Sequence, residues 1–301
     1  MKALVIGQGS IGQRHARLLG ELGLAVATVS GRAEVGPGRY RELSAALDDW
    51  QPDYVVVAND TADHASTLNS LAGFAGLVLV EKPLFAQVAP LPTGLRGFVG
   101  YNLRFHPLLR SLRQRLDGLR LISLTATVGQ YLPNWRPGSD YRQGNSASRA
   151  RGGGVLRDLS HELDYLLWLG GDWQAVAALG GRFSSLEIDS DDVFQLLLAG
   201  QRCPVVSARL DYLEHDVRRE LAVLADGYSF LLDFVAGRLV SNGTVELCMT
   251  GRDDTYLAQH RALLAGEHAE LCSLEQGLSV VRLIEAAETA ARERRWVNND
   301  G

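Results

Sequence analysis

The sequence predicts an α/β protein: an N-terminal doubly wound parallel sheet, then an α+β region with a large, mostly antiparallel open sheet. Three observations predict this. Ala3 to Gly7 is a short apolar run that leads straight into Gly7, Gly9 and Gly12 at G-x-G-x-x-G spacing and then into an amphipathic run. Further apolar runs follow at the rhythm strand, helix, strand, which requires right-handed parallel crossovers. Beyond Gly118 the pattern changes to long alternating runs separated by turn residues, as in antiparallel sheets. The 301 residues are enough for two domains, expected at 1–118 and 119–301.

The first turn carries a phosphate-binding signature. Gly7 permits the tight turn, Gly9 lets a pyrophosphate approach the backbone, and Gly12 lets the helix pack against the strand. The helix opening at Ser10, Ile11 and Gly12 offers free N–H groups and a partial positive charge. Leu24 to Val29 is the second strand, ending at Ser30-Gly31-Arg32. A carboxylate at this tip would bind the ribose 2′-OH of NAD and repel a 2′-phosphate. None is there, since Glu34 lies beyond the turn. Ser30 and Arg32 can donate to a 2′-phosphate, so NADP is favoured over NAD.

Tyr40 to Trp50 reads as a short helix ended by Pro52, and Tyr54 to Ala58 as a strand buried on both faces. Asn59-Asp60-Thr61 breaks it, with Thr61 placed to cap the next helix. Leu77 to Val80 is the next strand and ends at Glu81-Lys82-Pro83. Gly97 to Tyr101 is another, bringing Asn102 and Arg104 to the same edge, while 84–96 reads as a loop. In such sheets a ligand lies at the carboxyl ends of the strands, where Gly9, Ser30, Asn59 and Lys82 all stand.

His106 to Leu116 is a linking helix and Leu119 to Tyr131 a long strand. Residues 131–157 hold five arginines (136, 142, 149, 151 and 157) against one acid, Asp140. One reading is solvated arginines balanced by acids elsewhere. The other is an anion-binding lid in which Arg136 and Arg142 meet a carboxylate or phosphate and Tyr131, Trp135 and Tyr141 form apolar walls. A helix follows the triple glycine at 152–154. Its leucines recur at helical spacing, and Asp158, His161, Glu162 and Tyr165 share another face. A histidine beside carboxylates can work as a general acid/base, or such a cluster can simply brace the helix. Strands are expected at 175–183, 192–199, 204–212, 217–225 and 228–233, and amphipathic helices at 253–264 and 275–294.

A net charge of −5 argues against general nucleic-acid or membrane-surface binding. No apolar run reaches the roughly 18 residues of a membrane span. Cys203, Cys248 and Cys272 lack C-x-x-C spacing, which points to a reducing compartment with neither a disulfide framework nor a metal site. The first strand begins at residue 2, so a cytoplasmic protein without a signal peptide is expected.

Four motifs, in order, carry a family resemblance: GQGSIGQRH (7–15), Glu81-Lys82-Pro83, Tyr101-Asn102-Leu103-Arg104-Phe105, and GGGVLRDLSHELD (152–164). Together they resemble the Gfo/Idh/MocA family of sugar and cyclitol oxidoreductases, from Gly7 to Val297. The arginine-rich stretch and LSHELDYLLWL look most like members of nonulosonate-sugar pathways. The resemblance implies a Rossmann domain followed by a mixed domain whose open sheet builds homodimers or homotetramers. It implies that Lys82 lies beside the nicotinamide and the reacting hydroxyl, with Asn59, Asp60, His64, Glu81 and Asn102 around the cofactor. The family pattern has an aspartate after the glycines and a histidine four residues later. Asp158 fits the aspartate, but His161 arrives one residue early and Glu162 stands in the histidine's place. One residue rotates a helical side chain by about 100°. The family's Thr-Pro at the third strand tip is Asn59-Asp60 here.

The expected function is an NAD(P)-dependent oxidoreductase interconverting a secondary alcohol and a ketone on an anionic sugar derivative. Lys82, His161 and Asp158 are the expected catalytic residues. Arg104, Trp135, Arg136, Tyr141, Arg142 and Glu162 are expected toward the substrate. The alternatives are a reductase of an imine or tetrapyrrole-like ligand, and a cofactor-binding sensor without chemistry.

Overall fold

The structure is a computed structural model that describes residues 1–31, 36–136 and 138–299. The chain divides into two compact units: Met1–Asn102 with Arg252–Leu278, and Leu103–Gly251 with Ser279–Gly301. The expected boundary at 118/119 differs from this division twice. The first unit ends at the last parallel strand, and a later stretch of chain returns to it.

The first unit is built on β1 (Lys2–Ile6), α1 (Ser10–Glu21), β2 (Ala25–Val29), β3 (Arg39–Tyr40), α2 (Leu43–Trp50), β4 (Tyr54–Val57), α3 (His64–Ser70), β5 (Leu77–Val80) and β6 (Arg96–Val99). The central strands are continuous apolar runs because both faces are covered: every residue of β4 is fully buried. Neighbours β3, β2, β1, β4, β5 and β6 are all parallel, so the strand ends after β1, β2, β4 and β5 share one edge. The helix expected from Tyr40 begins only at Leu43, because Tyr40 pairs in β3. Thr61 does not cap α3. It opens a single 3-10 turn, Thr61–Asp63, which the helix then continues.

The second unit begins with α4 (Pro107–Arg115) and β7 (Leu121–Gly129), followed by four 3-10 turns between Leu132 and Arg151. Then come α5 (Val155–Asp158), α6 (His161–Gly170), β8 (Trp173–Gly181), β9 (Val193–Gly200), β10 (Val205–Asp211), β11 (Arg218–Ala225), β12 (Tyr228–Asp233), β13 (Arg238–Ser241) and β14 (Thr244–Leu247). In the returning segment α7 (Asp254–Ala265) and β15 (Cys272–Ser273) belong to the first unit, where β15 pairs antiparallel with β6. The last helix, α8 (Leu274–Glu293), passes from one unit into the other, and β16 (Val297–Asn298) closes the chain.

The nine strands of the second sheet run β14-β13-β12-β11-β7-β10-β9-β8-β16, antiparallel except for the β7–β10 pair. One face is core: Leu124, Ala126, Leu196, Leu198, Leu221 and Val223 are buried. The period-2 alternation puts the other face toward solvent. There the register lines up Ala177, Leu197, Ser207, Thr125, Ala222 and Leu231 across six strands, with Ile122, Val205 and Leu224 exposed nearby. Among the described residues no helix is long and apolar enough to cross a membrane.

Candidate active site

The expected site residues fall on both units, and each half is described by itself. In the first unit the glycine turn has the shape its sequence requires. Gly7 takes a φ of 101° and its N–H donates to the Val29 carbonyl at 2.9 Å, tying the turn to β2. A Cβ on Gly7 would strike the backbone of Ala58, and one on Gly12 would strike the Gly7 carbonyl. Gly9 has nothing within 4 Å of where its Cβ would be. No side chain caps α1 and no acid lies in its first turn, so its N–H groups remain available to an anion. Open space at Gly9 above an uncapped helix fits the pyrophosphate of a dinucleotide. Ser30 is half-buried at the tip of β2 and its N–H donates to the Tyr40 carbonyl. Arg32, expected beside it, lies outside the described residues, as does Glu34.

The tips of β4 and β5 are braced by buried histidines. His64 is 1% exposed. Its Nδ1 lies 3.1 Å from the carbonyls of both Pro83 and Leu84, and its Nε2 lies 3.3 Å from the Asn59 carbonyl. Burial lowers the pKa of this imidazole, against the three carbonyls, which favour its charged form. Expected as a cofactor contact, His64 instead ties the residues after Lys82 to the tip of β4. Glu81 is also buried. Its Oε1 accepts from His15 Nε2 at 2.8 Å and its Oε2 from the Lys82 N–H at 3.2 Å. Burial opposes its charge, but the hydrogen bond and charge of His15, then the Lys82 ammonium and N–H, outweigh this, and its pKa is lowered. Asn102 is buried as well and spends its amide on Thr255 Oγ1 at 2.6 Å. Glu81 and Asn102 therefore support the strand tips rather than present polar groups at a surface. Lys82 is half-buried, Asn59 donates to Thr67 Oγ1, and Asp60 precedes the 3-10 turn, its carbonyl accepting from the Asp63 N–H.

In the second unit the helix expected to run on from the glycines is two helices. Leu159 and Ser160 break it between Asp158 and His161, with Leu159 at φ −101° and ψ 27°. The break re-aims the side chains, so Asp158 does not share a continuous face with His161, Glu162 and Tyr165. Asp158 accepts from the Tyr212 hydroxyl at 2.6 Å. Burial and the Asp158 charge push that hydroxyl well above its usual pKa, so it stays a donor. Trp135 stands edge-on to Tyr212 at 5.2 Å and donates to the Gln130 carbonyl. His161 is half-buried, whereas Glu162 is fully buried, 2.9 Å from Arg219 and 3.4 Å from the Tyr165 hydroxyl. Glu162 is thus a structural ion-pair member, not a residue facing substrate.

Two arginine expectations change. Arg104 is 2% exposed and grips Asp164 in a bidentate pair, at 2.9 Å from Nε and 2.7 Å from Nη2. It cannot reach a substrate anion. Arg142 is exposed but paired with Asp140 at 2.8 Å and Glu187 at 3.1 Å. Arg157 is buried on Glu288. The basic stretch is therefore balanced in good part by acids, two of them distant in sequence. Arg136 is exposed, and Tyr141 is half-buried with its hydroxyl accepting from the Glu187 N–H.

Tyr212, Arg219 and His260 escaped the sequence reading. Tyr212 follows β10, Arg219 lies in β11 and His260 in α7, all far along the chain with no local motif to mark them.

Residues 110–241 match the family described as GFO/IDH/MocA C-terminal domain. No curated protein matches the chain. Solved structures do. GenD2 from gentamicin A biosynthesis, in complex with NAD, is 21% identical with a TM-score of 0.81, covering 100% of this chain and 97% of that one. Levoglucosan dehydrogenase with NADH and levoglucosan is 15% identical with a TM-score of 0.85, covering 100% and 99%. The WlbA dehydrogenase of Bordetella pertussis with NADH and UDP-GlcNAcA is 18% identical with a TM-score of 0.80, again covering 100% and 99%. The chain thus carries, over residues 110–241, a match to the GFO/IDH/MocA C-terminal domain, and as a whole it has the fold of these solved structures.

Proposed function

We propose that this protein is a nicotinamide-dependent oxidoreductase that interconverts a secondary alcohol and a ketone on a sugar derivative with an anionic group. The observation that carries the reading is the first unit's edge. A turn shaped for a pyrophosphate after β1 and an ammonium, Lys82, after β5 stand on one edge of the parallel sheet with the tip of β4 between them, and the segments around Lys82 are held by two buried histidines. A bound nicotinamide coenzyme supplies the hydride acceptor or donor. Lys82 polarises the reacting oxygen and stabilises developing negative charge on it. His161, the accessible one of the two candidates, takes or returns the hydroxyl proton. Asp158, held by Tyr212, orients the substrate. Of the candidates Arg104, Arg136 and Arg142, the exposed Arg136 meets the substrate's anion, with Arg142 reaching it only by exchanging Asp140 and Glu187. Ser30 and Arg32, with no acid at Gly31, favour NADP. Levoglucosan and UDP-GlcNAcA, bound by the similar structures, support a sugar substrate.

Self-association through the open face of the second sheet accompanies this reading, since Ile122, Leu197, Val205 and Leu224 are exposed on it. A Leu197→Asp change is expected to shift the sedimenting species to monomer.

The test is turnover of the full chain with NADPH or NADH across uronic acids, nucleotide sugars and nonulosonates. Lys82→Met should lower kcat by about 10²–10⁴-fold while coenzyme still binds. Near-normal turnover in that variant would refute the mechanism. Coenzyme binding without turnover across sugar, imine and tetrapyrrole panels would make the protein a sensor.

A further inference from the structure

A chain of four buried polar side chains runs through the first unit and ends at Lys82. The Tyr54 hydroxyl on β4 is 2.9 Å from His260 Nδ1 on α7, and His260 Nε2 is 2.9 Å from His15 Nδ1 on α1. His15 Nε2 is 2.8 Å from Glu81 Oε1, and Glu81 Oε2 accepts the Lys82 N–H. Tyr54, His15 and His260 are each 0% exposed. Gly100 makes room for the carboxylate, because a Cβ there would lie 2.9 Å from Glu81 Oε1.

Donor accounting sets one polarity for this chain. An ionised Glu81 can only accept, so His15 Nε2 carries a proton. His260 is the acceptor available to the Tyr54 hydroxyl, so His260 Nδ1 must be the bare nitrogen. His260 Nε2 is then the N–H and donates to a bare His15 Nδ1. Every proton has an acceptor, and both histidines are neutral. A proton added at His15 Nδ1 would force His260 to reverse and leave the Tyr54 hydrogen buried without an acceptor. The Glu81 carboxylate at 2.8 Å favours a charged His15, and the donor accounting with Tyr54 and His260 opposes it. Arg14 lies over Tyr256, whose edge meets His15, and Arg14 is itself paired with Asp253. Burial lowers the pKa of His64 on α3, drives His260 well below its usual pKa and holds Tyr54 well above.

We propose that Tyr54 and His260 are positioning residues for Lys82: they oppose protonation of His15, so that the negative charge of Glu81 is turned toward Lys82 and not shared with an imidazolium. The role assigned to Lys82 is that of the reading above, but the relay is testable without any substrate. Of the 30 Lys and Arg residues only Lys2 and Lys82 are lysines, so a Lys2→Arg background leaves one ε-amine to label.

The experiment is NMR of the full chain labelled with ¹⁵N-histidine and, by reductive methylation with ¹³C, at Lys82. In the parent protein His15 and His260 are both expected as neutral Nε2–H tautomers between about pH 5.5 and 8.5, the range in which ordinary histidines titrate. Tyr54→Phe removes the hydroxyl with little change of shape. It should add a protonation step to the His15–His260 pair within that range, and the Lys82 methyl signal should move with it. His260→Gln, which keeps a donor and an acceptor, should retain the parent Lys82 signal. An Nδ1–H tautomer or an imidazolium in the parent, or a Tyr54→Phe variant that titrates like the parent, overturns the proposal. If Tyr54→Phe does not fold, the parent tautomers alone decide. Should Lys82→Met keep its turnover, the function reading fails, while the NMR result still decides the relay.

Discussion

Removing the Arg104 guanidinium would take the bidentate partner from the buried Asp164 carboxylate. Breaking one partner of such a pair costs about 3–5 kcal/mol, so Arg104→Ala should unfold at markedly lower urea with the same steepness. Replacing both partners, as Arg104→Met with Asp164→Leu, should recover much of the loss, because two apolar groups of similar volume carry no desolvation penalty. Neither change should act on KM as a lost substrate contact would. The same logic separates His161 from Glu162. His161→Asn, at a half-buried position, should lower kcat and leave stability nearly unchanged. Glu162→Gln should lower stability, because it strips the buried partner from Arg219. Paired equilibrium unfolding and steady-state kinetics on the two variants check both halves of this expectation.

The glycine turn and the helix break are the elements that aim these residues. Gly9→Ala meets no atom in the protein, so the variant should fold with an unchanged melting curve yet bind NADPH and NADH far more weakly, since the added methyl fills the pyrophosphate's approach. Gly12→Ala should instead lower the melting point itself, because its Cβ collides with the Gly7 carbonyl. Thermal melts alongside coenzyme fluorescence distinguish the two. The glycine turn, the parallel strand tips and Lys82 were legible from sequence because each is a local pattern: an apolar run, a special backbone position, a polar break. The break at Leu159–Ser160 was not, since the leucines around it keep helical spacing and neither residue is a helix breaker. The strands β3, β15 and β16, of two residues each, were too short for a period-2 pattern to register. Arg104 was misjudged because its sequence position fixes where it starts, while its partner lies 60 residues away.

Over the whole molecule the polar core is assembled from distant pieces: His260 and His15 are 245 residues apart, and Arg157 and Glu288 are 131 apart. Three buried histidines make that core sensitive to acid. Burial lowers His64, drives His260 well below the usual value and, with the Arg219 charge, brings His106 from 6.5 to about 4. Each binds a proton less readily in the folded chain than in the unfolded one. Below pH about 6.5 the unfolded chain therefore binds more protons than the native one, and stability falls as pH falls. The loss per histidine is at most about 1.4 kcal/mol per pH unit and stops at its folded pKa. For His106 it reaches about 3 kcal/mol by pH 4. Carboxylates such as Glu81 and Asp140, held ionised in the fold, add their own loss only as the pH falls below their unfolded range. Urea unfolding at pH 7.5, 6.5 and 5.5 should thus show stability already declining above the carboxylate range. Placing Phe at position 106 should flatten that decline in the second unit's transition while leaving the first unit's slope, set by His64 and His260, as it was. A stability that stayed level down to pH 5 would mean that these imidazoles are reached by protons in the folded state.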